Sequence, residues 1–208
     1  MTPVATGADG VARCAWGNGS PLYATYHDRE WGRPVADDRV LFEKLTLEGF
    51  QAGLAWVTIL RKRAAFRAAF HDFDIEAVAS MGDRDVARLR ENTGIVRHEG
   101  KIRSAINNAR RSLEVIEGMG SLGALVWAYE PEDGPPTAAA TTLESVALAR
   151  ELKRRGFTFV GPTTVYAFMQ AMGLVNDHAH GCHVRGAVAR ERASFSRPQP
   201  KPRGSDRP

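Results

Sequence analysis

Glu48 is the residue that first asks for an explanation. It sits in LTLEGFQAGLAWVTILRKR (45–63), a stretch of apolar and small residues whose spacing predicts a core helix. A carboxylate in such a place needs a partner, because an unpaired charge loses far more on leaving water than its side chain gains by burial. Gly49 and Gly53 lie close by, and Trp56 follows. A second group, RCAWGNGSPLYATYHDREWG (13–32), holds Trp16, Tyr23, Tyr26 and Trp31, half of the chain's tryptophans and tyrosines. Tyr23 and Tyr26 are one helical turn apart and can face one pocket. Rings plus a carboxylate suit a flat cationic or electron-poor ligand, which stacks on the rings and gives its N–H groups to the carboxylate. The same aromatics could instead fill a core between helices, and Trp31 is read that way.

A second constellation could bind metal. The chain has two cysteines, Cys14 and Cys182, near opposite ends of the sequence. A disulfide needs an oxidising compartment, whereas a shared ion suits a chain without secretion signals. Cys14 precedes His27 by thirteen positions, and His178 precedes Cys182 by four, one turn if that segment is helical. Two thiolates and two imidazoles fill a tetrahedral zinc site with no open position, the structural kind. His180, His183 and Asp177 are rival ligands nearby. The alternative is that Cys14 is a small buried apolar residue and the histidines lie on the surface.

RRGFTFVGPTTVYAFMQAMG (154–173) reads as a helix end, a short loop and a helix start. Gly156 can end the first helix, Gly161 allows close backbone approach, and Pro162 with Thr163 suits the opening of the second. Free N–H groups at such a start attract anions, and Arg154 and Arg155 add positive charge. A plain helix–helix turn explains these residues equally well.

The elements that must position these groups are helical, and the expected fold class is all-α. One helical run is predicted from Asp37 or Asp38 through Leu60. Others cover 73–81, 83–92, 101–118 (ended by Gly118), a helix opening on a Thr141/Glu144 capping box and closing at Gly156, and 163–172. No alternating strands joined by tight turns are read. Residues 130–140 read as a surface connector. Residues 1–12 are expected to be a disordered extension, 13–184 one helical domain with its hairpin at about 154–164, and 185–208 a disordered basic tail rich in Pro, Ser and Arg. The formal charge is +4. Residues 185–208 hold seven basic and two acidic groups, which leaves 21 basic and 22 acidic groups in the rest. Any polyanion site on the body is therefore a local patch. No apolar run reaches the ~20 residues of a membrane span, and the first residues lack a signal-peptide core, so a cytoplasmic protein is expected.

RCAWGNGSPLYATYHDREWG, LFEKLTLEGFQAGLAWVTILRKR (41–63), GIVRHEGKIRSAINNAR (94–110), RRGFTFVGPTTVYAFMQAMGLVNDH (154–178) and the Gly181–Cys182 pair together resemble the constitutive bacterial 3-methyladenine DNA glycosylases. That family is a divergent branch of the helix-hairpin-helix glycosylases. The resemblance spans most of Arg13 to His183 and leaves out much of 118–140. It implies a zinc clip through Cys14, His27, His178 and Cys182 that joins the N- and C-terminal segments. It implies DNA binding at the hairpin through Gly161, Thr163 and Thr164. It places Glu48 in a base pocket with Trp16, Tyr23, Tyr26 and Trp56, acting either on base recognition or on the developing sugar cation. Helix-hairpin-helix enzymes with lyase activity keep a lysine just after the second hairpin glycine; Pro162 and Thr163 stand there, implying base removal without a Schiff base. The superfamily aspartate falls near Asp177, which adjoins metal candidate His178 and is given no role. The implied partner is double-stranded DNA containing alkylated bases, met by a monomer. Two rival functions remain on the residues alone: a zinc-stapled protein that recognises damaged bases without cutting, and a helical small-molecule-binding domain.

Overall fold

Ten successive residues of one helix, Leu41 to Phe50, are buried, so this helix runs through the middle of the molecule with no solvent face along that length. The computed structural model describes residues 3–132 and 139–202. In chain order its elements are strands β1 (Val4–Thr6) and β2 (Ala12–Cys14), then helices α1 (Pro21–Arg29), α2 (Asp38–Gln51), α3 (Trp56–Ala69), α4 (Ile75–Ser80) and α5 (Asp83–Glu91). They continue with α6 (Glu99–Met119), α7 (Leu122–Trp127), α8 (Leu143–Arg154), α9 (Pro162–Ala171) and α10 (Arg185–Ser194). The central helix is α2. It packs against α3, α6, α7 and α9, and its Leu41, Phe42, Leu45, Leu47 and Phe50 join Phe66, Phe70, Phe73, Ile102, Leu125, Val165 and Phe168 in one core. Burial of this kind, rather than helix propensity, stabilises helices of such length. Among the described residues no helix is long and apolar enough to cross a membrane.

The mostly helical fold agrees with the sequence expectation, and several boundaries move for identifiable reasons. The run from Asp37 is two helices, because Gly53 takes φ +80° and the chain turns at 52–55; a left-handed residue ends an α-helix. Asp37 does cap α2, its Oδ1 accepting the Val40 N–H at 2.9 Å. Helix α6 runs past Gly118 to stop at Gly120, which has φ +96°. The capping box of α8 is Thr142 with Ser145, one position beyond the expected pair.

Parts of both terminal segments expected to be disordered hold regular structure. β1 pairs antiparallel with β2, setting Val4 opposite Cys14, and Asn18 Nδ2 donates to the Ala5 carbonyl at 2.7 Å. Three-residue strands are too short for an alternation pattern to register. The basic tail also begins as structure: α10 buries Val188 completely, Phe195 packs its ring 4.5 Å from that of Trp127, and Arg197 grips Glu130 with Nε and Nη2 at 2.8 and 2.9 Å. The Lys201 N–H reaches the Met119 carbonyl at 2.8 Å. Part of the basic charge is thus held against Glu130 on the body. Part of the 130–140 connector, residues 133–138, lies outside the described residues.

Candidate active site

Burying Leu41 to Phe50 of α2 forces the charged residues among them to find partners. Glu43 is met by Arg67 of α3, whose Nε lies 3.0 and 3.1 Å from the two carboxylate oxygens. Glu48, 5% exposed, is met from within its own helix, since Lys44 stands one turn earlier with Nζ 2.8 Å from Glu48 Oε1. The pairing answers the question that residue 48 raises. The carboxylate in the core carries its own counter-ion at i−4.

That ammonium is also the meeting point of the aromatic group. Lys44 Nζ donates to Tyr26 Oη at 2.6 Å and lies 3.5 Å over the centroid of Trp56, within cation–π range. An ammonium can only donate, so Tyr26 Oη accepts here and keeps its own proton to give elsewhere. The Tyr26 ring lies 5.5 Å from Trp56, and Trp16 reaches both tyrosines, at 5.8 Å to Tyr23 and 6.3 Å to Tyr26. Tyr23 Oη accepts the Val57 N–H at 2.9 Å, which ties α1 to the first turn of α3. The Trp56 indole N–H is buried without a partner among the described residues, an uncommon state for a buried donor. Burial draws the Lys44 ammonium below its usual range, although Glu48 pulls the other way. Burial and then the Glu48 charge push the Tyr26 phenol well above its own.

A small cleft with about 50 Å³ of accessible space opens beside this cluster, lined by Tyr26, Lys44 and Trp56 together with Glu30, Glu43 and Arg63. Neither Glu48 nor Tyr23 is among its walls. Glu30 is held by Arg63 Nη2 at 2.8 Å. Gly53 needs its positive φ for the turn, whereas a Cβ on Gly49 would make only an ordinary van der Waals contact with Phe159, 3.4 Å from its Cβ.

Helix α1 carries a second function on the same turn. His27, next to Tyr26, points Nε2 to within 3.5 Å of Cys182 Sγ, and Cys14 Sγ accepts the Ala179 N–H at 3.3 Å. Ligand atoms of Cys14, His27 and Cys182 lie within 4.8 Å of one another, all buried, a group able to hold a metal ion. Asp28 Oδ1 takes the other nitrogen of His27 at 2.8 Å, which fixes the ring orientation. The expected helical spacing of His178 and Cys182 does not occur: residues 178–182 form a turn closed by the Cys182 N–H to the Ala179 carbonyl at 3.0 Å, with Gly181 at φ +87°. His178 nevertheless stands beside His27, ring centroids 5.1 Å apart. Its Nδ1 is taken by Asn176 Oδ1 at 3.0 Å, and its buried Nε2 has no partner among the described residues. Burial holds the His178 imidazole down at about 4, so it stays neutral, the form that ligates. Trp31 bridges the two clusters, 5.1 Å from Trp16 and 4.6 Å from His178.

Gly32 is where this arrangement is least tolerant. It has φ +83°, and a Cβ there would lie 2.6 Å from His178 Cε1. Gly32→Ala is expected to destabilise the fold by about 1–3 kcal/mol and to lower metal content, read by thermal unfolding and metal analysis; a stable, fully metallated variant would show that His178 can move without consequence.

The region between α8 and α9 has the turn that its glycines call for. Gly156 takes φ +84°, Gly161 caps α9 and Pro162 opens it. Thr163 is exposed and Thr164 half-buried at that helix start. Arg154 and Arg155 both bind Glu151, with Nε atoms at 2.7 and 2.6 Å from its oxygens, so this corner carries less free positive charge than the sequence suggests. Phe159 projects from the loop at φ +54° and is 40% exposed.

Residues 16–185 match the family model described as methyladenine glycosylase. The chain belongs to the methyladenine glycosylase family. It is 48% identical to the DNA-3-methyladenine glycosylase 1 of Escherichia coli strain K12 over 180 residues, 83% of this chain and 96% of that one. It is 42% identical to the DNA-3-methyladenine glycosylase of Haemophilus influenzae over 179 residues, 83% of this chain and 97% of that one. A crystal structure of a 3-methyladenine DNA glycosylase I superposes with TM-score 0.79 at 49% identity, over 82% of this chain and 98% of its own. Another, concerned with 3-methyladenine recognition by the Staphylococcus aureus enzyme, gives TM-score 0.79 at 37% identity, over 83% and 96%.

Within this family member, the fold brings together the residues singled out from sequence. Glu48, Trp16, Tyr23, Tyr26 and Trp56 form one contiguous cluster through Lys44, and Cys14, His27, His178 and Cys182 form the adjoining one. Asp177 is buried and engaged, its Oδ2 accepting from Tyr166 Oη and, at 2.9 Å, from Gln170 Nε2. Sequence reading missed Lys44, although its i, i+4 spacing to Glu48 was the available signal.

Proposed function

We propose that this chain is a monofunctional DNA glycosylase that rotates 3-methyladenine out of alkylated double-stranded DNA and hydrolyses its N-glycosidic bond, the first step of base excision repair. The observation that carries the reading is the identity to 3-methyladenine glycosylases across 96–97% of their length, in a chain whose buried Glu48 is joined through Lys44 to the rings of Tyr26 and Trp56. Methylation at N3 makes the base a cation, which aromatic faces and a carboxylate favour over neutral adenine. Trp16, Tyr23, Tyr26 and Trp56 supply the faces, and Glu48 accepts the base N–H groups. Extruding a damaged nucleotide costs least, which adds selectivity. The cationic base is a good leaving group: the C1′–N9 electron pair moves onto the ring, water bonds to C1′, and a proton leaves to solvent.

The α8–α9 turn is the DNA-holding hairpin, with Gly161, Thr163 and Thr164 presenting backbone and hydroxyl donors to phosphates. The protein acts as a cytoplasmic monomer. Zinc is the ion suited to two buried sulfurs and two imidazole nitrogens. Cys14, His27, His178 and Cys182 would hold it, and the unpartnered Nε2 of His178 supports the fourth ligand. The ion supplies no chemistry to the reaction; it ties β2, α1 and the 178–182 turn together beside the pocket.

Incubating purified protein with methylated duplex DNA and chromatographing the released material tests the function. Free 3-methyladenine is expected; bound DNA with no released base would leave a recognition protein. Borohydride present during turnover is expected to trap no covalent protein–DNA adduct, since Pro162–Thr163 offer no amine at the hairpin. A trapped adduct would make the enzyme a lyase.

A further inference from the structure

We propose that Lys44 is a resident counter-ion that the cationic base displaces from Glu48 and Trp56, and that re-pairs with Glu48 once bond cleavage has made the base neutral, driving product out. The proposal deepens the glycosylase reading and rests on it. Three groups suited to a cationic base are already occupied by one side chain: Lys44 Nζ holds Glu48 Oε1 at 2.8 Å, Tyr26 Oη at 2.6 Å and the face of Trp56 at 3.5 Å from its centroid. That last distance is the separation at which a planar base would stack, so ammonium and base cannot share that face of Trp56.

The surroundings give the side chain somewhere to go. Lys44 already lines the neighbouring cleft with Glu30 at the end of α1, Glu43 of α2 and Arg63 and Arg67 of α3. The charges facing it there are the carboxylates Glu30 and Glu43, each bound to one of those arginines. Lysine has a long flexible stem, so a rotamer change moves the charge several ångströms without moving α2.

The cycle then follows from charge alone. The extruded nucleotide carries one positive charge and exchanges for Lys44 at Glu48 with little net change in pairing. When the C1′–N9 bond breaks, its electron pair cancels the ring charge, a water oxygen bonds to C1′, and the proton goes to solvent. Lys44 keeps its proton throughout. The neutral base now offers Glu48 only N–H dipoles, whereas the ammonium offers a full charge, and Lys44 prevails.

The test is inhibition by added 3-methyladenine, compared between wild type and Lys44→Met with folding checked by thermal unfolding. With the competitor removed, the inhibition constant is expected to fall about tenfold, the equivalent of roughly 1.4 kcal/mol of lost competition. An unchanged or higher constant in the folded variant overturns the proposal. A structure of wild-type protein with 3-methyladenine gives a second arm that does not depend on the variant. Lys44 Nζ is expected away from the Trp56 face and beyond hydrogen-bond reach of Glu48; an ammonium still in place with the base bound elsewhere overturns it. Wild-type protein that releases 3-methyladenine from DNA but fails either arm refutes the exchange alone. Protein that neither releases nor binds the base refutes the function as well.

Discussion

Glu48→Gln is expected to lose both base excision and stability, and the two losses can be separated. The carboxylate is the partner of a buried ammonium, so its neutral isostere leaves Lys44 without a counter-ion in the core. Removing one member of a buried pair costs about 3–5 kcal/mol, enough to lower the melting temperature of a domain this size by roughly 6–20 °C. Excision is expected to fall on the order of 100-fold, the effect of removing one well-placed electrostatic group from an active site. The double variant Glu48→Gln/Lys44→Met removes both charges. Its melting temperature should recover much of the loss, because a buried pair replaced by uncharged groups is often neutral in stability, whereas excision should stay low. Full excision in the double variant, measured as 3-methyladenine released per enzyme, would remove Glu48 from the chemistry.

Cys182→Ala is expected to produce the other large effect. Cys182 sits in a turn held to α1 and β2 by the buried sulfurs and imidazoles, and the first turn of α10 begins three residues later. Without the thiolate the ion is lost and the two chain ends separate from each other. The melting temperature is expected to fall by at least about 10 °C, corresponding to several kcal/mol, with zinc dropping from one per chain to none. Excision should weaken too, since α1 carries His27 and Tyr26 on adjacent positions and Trp16 packs 5.1 Å from His27. Wild-type protein prepared without chelators and containing no zinc would refute the clip.

The sequence revealed the residue types of both clusters but not the contacts that organise them. Apolar periodicity and caps such as Asp37 placed most helices, because a buried helical stripe leaves a 3.6-residue trace. The break at 52–55 was hidden, since apolar residues continue on both sides and Gly53 reads as helical until its positive φ is known. Residues 185–194 looked like a solvated tail, because a helix held by Val188, Phe195 and ion pairs to Glu130 has too few apolar positions to stand out. The short β1–β2 pairing escaped for the same reason. At the site, Glu48 was conspicuous as a charge among apolar residues. Lys44 was not, because Glu43 and Lys44 near the start of α2 resemble an ordinary exposed turn. The burial of Leu41 to Phe50 is a tertiary fact, and it alone turns Lys44 from a surface lysine into the buried partner of Glu48.

The occupant of the pocket can be observed directly by titrating 3-methyladenine into the protein while following the indole N–H signals by nuclear magnetic resonance. The Trp56 N–H, buried without a partner, and the Trp16 N–H should shift and saturate together, while Trp127, whose N–H is held by the Val35 carbonyl at 2.8 Å, should stay in place. Saturable binding that leaves Trp56 and Trp16 unmoved would contradict the assignment of a base site to the rings around Glu48 and Lys44.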